Sequence, residues 1–224
     1  MEKIRVLLAD DHTIVRQGLR VLLEAEPDIT VVAEAETGRQ AVQLAREHAP
    51  EVIVMDIAMP TLNGLEATRQ IIKETPTARV LALSSYRDDE YVHQLTEAGA
   101  AGYLLKQTAA AELIVAVREV KSGNAFFSPV ISRRLAEQYR AAFQEGGSGR
   151  KKNVELTSRE AEVLQLLAEG KPNKQIASNL CISIKTVQKH RQQMMNKLDI
   201  HDIAGLTRYA ISKGVIKTGF DPLA

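Results

Sequence analysis

Val52-Ile53-Val54-Met55-Asp56-Ile57-Ala58-Met59-Pro60 decides the fold of the front half of this chain. An apolar run of four residues closed by a carboxylate reads as a strand buried on both faces, with its charged end outside the sheet. Similar short runs occur at 4–9, 29–33, 80–83 and 101–105. Amphipathic patterns follow, opening near His12, Gly38, Asn63 and Asp88, and the last run is followed by a helical stretch over 108–121. Thr37 with Gln40 fits a capping box for the second helix, and Gly123 supplies a stop after the fifth. Five strand–helix units predict an α/β fold, a five-stranded doubly wound parallel sheet with helices on both faces.

Beyond residue 124 the pattern changes. Ser128-Pro129 is an N-cap followed by a first-turn proline, which predicts a helix over about 129–143. A glycine-rich charged stretch, 145–152, reads as a flexible linker. From Leu156 no strand pattern recurs; Thr157 with Glu160 forms a second capping box and Gly170 closes that helix. Shorter helices follow at about 173–179, 184–198 and 202–213. The expected organisation is one domain over 1–124, a linker over 125–153 containing the 129–143 helix, and a small all-α domain over 154–224.

Composition bounds the rest. With 224 residues, 45% apolar and 25% charged, the chain has room for two ordinary globular cores. Its net charge of +1 is unevenly spread: residues 1–143 carry net −4 and residues 144–224 net +5, so nucleic acid is expected to meet the back domain. Cys181 is the single cysteine, which excludes an internal disulfide. No apolar run of 18 residues argues for a membrane span, and the N-terminus enters a strand pattern without a secretory segment, so a cytoplasmic protein with no membrane partner is expected.

In an open parallel sheet, ligands bind beyond the carboxyl ends of the strands. There the sequence places Asp10 and Asp11 after the first strand, Asp56 after the third, Ser84 after the fourth and Lys106 after the fifth. Three neighbouring carboxylates repel one another unless a cation lies among them, and oxygen ligands suit Mg2+. Asp56 then becomes a nucleophile toward a phosphoryl donor, with Mg2+ and Lys106 neutralising charge on the transferred group and the Ser84 hydroxyl bonding a phosphate oxygen. One Asp after a strand is most often only a helix cap; four elements on the right strand ends are not explained that way. His12 and His48 read as isolated solvated residues rather than phosphohistidines.

These residues carry a resemblance. Leu8-Ala9-Asp10-Asp11-His12, the run from Met55 through Asp56, Met59 and Pro60 to Gly64, and Gly99-Ala100-Ala101-Gly102-Tyr103-Leu104-Leu105-Lys106 resemble the motifs of response-regulator receiver domains over about residues 3–121. The resemblance implies a flavodoxin-like receiver with Asp56 as phosphoacceptor. It also implies Mg2+ held by Asp11, Asp56 and the Ala58 backbone carbonyl, Asp10 acting mostly through water, and Ser84 and Tyr103 as a switch pair. Gln107 stands where many receivers have proline, and strand alternation directs the neighbouring Ser85 away from the site. For Tyr103 the plain alternative is a half-buried aromatic on an edge strand.

In the back domain, helices at 173–179 and 184–198 flank a tight turn, Leu180-Cys181-Ile182-Ser183, which is helix-turn-helix architecture. Ile176, Ala177, Val187, Met194 and Leu198 are the expected buried stripe, with Lys185, Gln188, Lys189 and Gln192 largely opposite. Lys and Gln read guanine and adenine edges, while Lys174, Ser183, Lys185, Thr186 and His190 are placed for phosphates. A solvated helix face is the bland alternative. Leu156-Thr157-Ser158-Arg159-Glu160, Asn173-Lys174-Gln175-Ile176-Ala177, Ile184-Lys185-Thr186-Val187 and Lys197-Leu198 resemble the LuxR-type domain over about 154–216. Together the two halves resemble the NarL/FixJ class of two-component response regulators. Gln188 stands where that family often has lysine, which leaves the operator sequence open.

The resemblance implies a DNA-binding transcriptional regulator phosphorylated by a sensor histidine kinase, binding double-stranded DNA and forming a homodimer when phosphorylated or on DNA. The helix at about 202–213 would pair between protomers, although Ile203, Leu206, Ala210 and Ile211 equally suit an internal core. Two alternatives stand beside this. One is a constitutive regulator whose front domain only dimerises. The other is an aspartyl-nucleophile phosphohydrolase; Ala58 occupies the position where such enzymes usually carry a general acid, so slow self-dephosphorylation is the expected limit.

Overall fold

The computed structural model describes residues 3–84, 89–129, 131–133 and 156–216. The chain divides into two compact units, one holding the sheet and one the C-terminal helices.

In the first unit, strands β1 (Ile4–Ala9), β2 (Ile29–Ala35), β3 (Val52–Asp56), β4 (Arg79–Ser84), β5 (Gly102–Leu105) and β6 (Phe126–Phe127) alternate with helices. These are α1 (Thr13–Glu24), α2 (Gly38–His48), α3 (Gly64–Glu74), α4 (Asp89–Glu97) and α5 (Ala109–Lys121). The sheet is parallel with order β2-β1-β3-β4-β5-β6. β3 is buried along its whole length, as a central strand covered on both faces must be. On one face Val6, Leu8, Val54, Leu81, Leu83 and Leu104 pack under Leu19 and Leu23 of α1 and Leu113, Ala116, Val117 and Val120 of α5. The alternate residues Ala82, Tyr103 and Leu105 meet Val92 and Leu95 of α4 on the other. Each such large apolar side chain contributes about 1.5–3 kcal/mol of transfer free energy.

Local signals place the helix ends. Thr37 accepts from the Gln40 backbone N–H, but the Gln40 side chain returns to the Glu36 N–H and not to that of Thr37, so the expected box is half formed. Gly123, at φ +90°, turns the chain out of α5.

The sheet has a sixth strand where the sequence suggests linker. Phe126 N–H donates to the Ala101 carbonyl and Ser128 N–H to that of Tyr103, so β6 extends the sheet beyond β5. Two residues are too few to leave a periodic signature. Gly102 makes the pairing possible: a Cβ there would sit 2.5 Å from the Phe126 carbonyl oxygen. The helix expected from Ser128-Pro129 begins at 129 and includes 131–133; its expected continuation to 143, the linker stretch and Ser85 lie outside the described residues.

The second unit contains α6 (Ser158–Ala168), α7 (Asn173–Asn179), α8 (Ile184–Leu198) and α9 (Ile203–Ser212). The Thr157–Glu160 capping box is complete, and Gly170, at φ +79°, ends the first turn beyond α6. Val163, Leu164, Leu166 and Leu167 pack against Ile176, Ala177, Val187, Met194, Leu206 and Ala210 in one core. In α9, Leu206 and Ala210 are therefore internal, while Ile203 and Ile211 remain exposed.

Candidate functional site

The order of the sheet brings β1 and β3 side by side although α1, β2 and α2 intervene in sequence. Their carboxyl ends carry Asp10, Asp11 and Asp56 to one place. Single ligand atoms of these three residues and of His12 all lie within 4.8 Å of one another. Asp10 and Asp56 are buried, whereas Asp11 is half-buried and opens the cluster to solvent. Close carboxylates in partial burial need positive charge. Lys106, from the end of β5, supplies part of it: its Nζ is 2.7 Å from Asp10 Oδ2 and 3.0 Å from Asp56 Oδ2. Burial works against the ammonium charge, but Asp56 and Asp10 outweigh it and hold the lysine above its ordinary pKa. One lysine leaves the three carboxylates in excess, and such an oxygen set fits a hard divalent cation.

Backbone geometry fixes these groups. The Ala58 N–H faces Asp56 Oδ1 at 3.4 Å, and the Gly64 N–H donates to the Ile57 carbonyl at 2.7 Å, folding the loop after β3 back on itself. A Cβ on Gly64 would lie 2.0 Å from the Asp56 carbonyl oxygen, so the motif glycine is a steric requirement. Ser84 ends β4, buried, and its carbonyl accepts from the Lys106 N–H at 2.8 Å. Tyr103 departs from the half-buried edge aromatic considered above. It is 1% exposed among Ile57, Ala82, Val92, Leu95 and Ile131, because β6 occupies the flank that would have been open.

Two residues escaped the sequence reading. His12 is not isolated: its Nδ1 is 2.9 Å from Asp11 Oδ1 and 3.2 Å from Asp10 Oδ1. Its adjacency to the acid pair was the available signal. Arg16 is buried in α1; its guanidinium donates to the Asp10 carbonyl at 2.7 Å, to Glu34 at 3.0 Å and to Glu36 at 2.9 Å. A single arginine thus ties the end of β1 to that of β2, a long-range arrangement that no local pattern announces.

In the second unit α7 and α8 form the expected helix pair. The turn passes through Cys181 at φ +52°, a left-handed position, and the Ile182 N–H donates to the Ala177 carbonyl. Arg191 of α8 donates to Asn173 Oδ1 at 2.6 Å, and Arg159 of α6 reaches the Leu180 carbonyl, fixing how the helices cross. Val187 and Met194 are fully buried, with Leu198 packed partly against them. Lys174, Lys185, Gln188, Lys189 and Gln192 are exposed; Thr186 and His190 are half-buried. Ser183 is exposed as well, but its hydroxyl accepts from the Thr186 N–H and caps α8. No Asp or Glu occurs in α8, so its outer face is uniformly cationic or neutral.

Comparison with known proteins agrees with both halves. Residues 6–118 match the family model of the response regulator receiver domain, and residues 154–210 that of the bacterial regulatory proteins of the luxR family. The transcriptional regulatory protein LiaR of Bacillus subtilis (strain 168) is 42% identical over 207 residues, covering 92% of this chain and 96% of LiaR. A LuxR-family two-component response regulator from Aurantimonas sp. SI85-9A1 superposes with a TM-score of 0.60 at 38% identity, over 62% of this chain and 99% of that one. The two-component response regulator RcsB, solved as a DNA complex, superposes with a TM-score of 0.57 at 27% identity, over 94% and 99%. The chain belongs to the response regulator family, with a receiver domain followed by a LuxR-type DNA-binding domain. It is a two-component transcriptional regulator and not an enzyme. Among the described residues no helix is long and apolar enough to cross a membrane.

Proposed function

We propose that Asp56 is the phosphoacceptor of a cytoplasmic regulator with its receiver over 1–124 and its DNA-binding domain from 154. One Asp56 carboxylate oxygen attacks the phosphorus of a sensor kinase's phosphohistidine. The P–N bond breaks, the imidazole leaves, and an acyl phosphate forms. Asp10, Asp11, Asp56 and the Ala58 carbonyl would hold Mg2+, which when bound supplies positive charge opposite the phosphoryl oxygens. Lys106 neutralises further charge from the other side, and the Ser84 hydroxyl donates to a phosphate oxygen. Ser84 and buried Tyr103 form the switch pair, and their rearrangement alters a receiver face and thereby dimerisation and operator binding. With Ala58 two residues beyond the nucleophile, hydrolysis is limited to slow self-dephosphorylation. The observation that carries this reading is the contact of Lys106 with both Asp10 and Asp56 beside Asp11.

On DNA, α8 lies in the major groove. Lys185, Gln188, Lys189 and Gln192 meet base edges, and Lys174, Thr186 and His190 meet phosphates, with the N-terminal end of α8 at Ser183 close to the backbone. α9 pairs two protomers through Ile203 and Ile211, the apolar residues its own core leaves exposed. The test compares wild type with Asp56→Asn for phosphate uptake from a small phosphodonor with Mg2+, and for operator affinity before and after. Wild type is expected to take up phosphate and bind more tightly; Asp56→Asn is expected to do neither. Equal responses from the two proteins would refute the reading.

A further inference from the structure

We propose that His12 contributes a nitrogen ligand to the divalent cation taken up between Asp10, Asp11 and Asp56, and that this ligand tilts the site toward Mn2+ over Mg2+. The inference rests on reading the acid cluster as a cation site, and adds to it a fourth side-chain ligand and a metal preference.

His12 stands at the N-cap of α1, yet its side chain makes no cap hydrogen bond. Instead its backbone N–H donates to Asp10 Oδ1 at 2.8 Å, a local turn that lays the ring back over the acids. Nδ1 then stands 2.9 Å from Asp11 Oδ1 and 3.2 Å from Asp10 Oδ1. In an octahedral site with bonds of about 2.1 Å, ligand atoms on adjacent corners are about 3 Å apart. The imidazole nitrogen therefore keeps the spacing of a coordination sphere with two of the carboxylates, and shares the cluster with the third. When no metal is bound, a ring N–H bridging the carboxylates accounts for the same distances; a cation takes that proton's place between the same atoms. The ring is 44% exposed, so no packing holds Nδ1 away from an arriving ion.

Donor chemistry then sets the preference. Three carboxylates keep the site among the octahedral oxygen-rich class that Mg2+ and Mn2+ share. Mg2+ is hard and gains little from imidazole, whereas first-row transition ions accept nitrogen readily. One histidine among the acids thus separates two ions that carboxylates alone would treat more alike.

The test uses the full-length protein titrated calorimetrically with MnCl2 and with MgCl2 at one pH, as wild type, His12→Ala and His12→Asp. Pulsed electron paramagnetic resonance of the Mn2+ adducts accompanies it. Loss of even an outer-shell partner lowers metal affinity about 10–100-fold, so His12→Ala is expected to weaken Mn2+ at least about tenfold and Mg2+ less than about twofold. The wild-type adduct should show hyperfine coupling to an imidazole nitrogen that both variants lack. His12→Asp, with an oxygen in place of nitrogen, should retain Mg2+ binding. Parallel changes for both ions, tighter Mn2+ binding in His12→Ala, or no nitrogen coupling in wild type would overturn the role of His12 while leaving the acid cluster as a cation site. Failure of wild type to bind either ion would overturn both.

Discussion

Lys106 Nζ lies 3.0 Å from Asp56 Oδ2, the ends of β5 and β3 meeting across β4. The contact sets a positive charge against a carboxylate that is buried at the end of its strand.

Lys106→Met should therefore destabilise the metal-free receiver by about 1–3 kcal/mol, the cost of leaving buried acceptors without their partner. Urea unfolding in chelator, followed with and without added Mg2+, measures this. The loss should shrink when the divalent ion is present. A variant as stable as wild type in chelator would show the pair to be dispensable.

Gly64→Ala tests the loop behind Asp56. The added Cβ meets backbone atoms of Asp56 and Ile57, which cannot rotate aside. Overpacking of this kind costs about 1–3 kcal/mol or more, and here the displaced backbone is that of Asp56. Thermal unfolding should shift down and phosphate uptake should fall together. A change in one alone would separate packing from positioning.

The second unit should respond to acid through Glu160. Its carboxylate is buried, and burial alone would raise its pKa. The hydrogen bonds from Lys197 at 2.6 Å and from the Thr157 N–H overcome this and hold it below the ordinary 4.5. A lowered carboxyl pKa stabilises above the ordinary value, and the contribution is lost as pH falls through the lowered one. Amide exchange of α6 and α8 in the full chain, measured from neutral pH to about pH 3, should show this loss. Lys197→Met should cost about 1 kcal/mol at neutral pH and flatten the acid slope.

Variants in α8 and α7 should divide by role. Gln188→Ala is expected to lose about 1–3 kcal/mol and relax preference at one base pair of the selected operator. Lys174→Ala should weaken all sequences alike and reduce the salt slope by about one. Binding to selected and scrambled duplexes across a salt series distinguishes the two patterns.

What the sequence made legible follows from how local its cause was. The strands through Val6, Val54 and Leu81 announce themselves because both faces are buried, so apolar residues run without interruption. The caps at Thr37 and Thr157 are short-range and were readable, although Gln40 chose the Glu36 N–H over that of Thr37. β6 was not readable, since Phe126 and Phe127 pair with a strand distant in sequence and depend on space left by Gly102. The full burial of Tyr103 was not readable for the same reason, since β6 covers its flank. Asp10, Asp56 and Lys106 could be placed from strand ends alone. The contacts of Arg16 could not, because they depend on a side chain turning toward Glu34 and Glu36, which only the folded strands bring near, whereas the adjacency of His12 to Asp10 and Asp11 was a signal in the sequence itself.

Lys106 and Asp10 stand 96 residues apart, and their contact closes the acid cluster. A nascent or clipped chain that stops short of the fifth strand carries Asp56 but not its counter-charge. Such fragments should be poor phosphate acceptors, so chemical labelling of Asp56 also reports that the receiver has been completed.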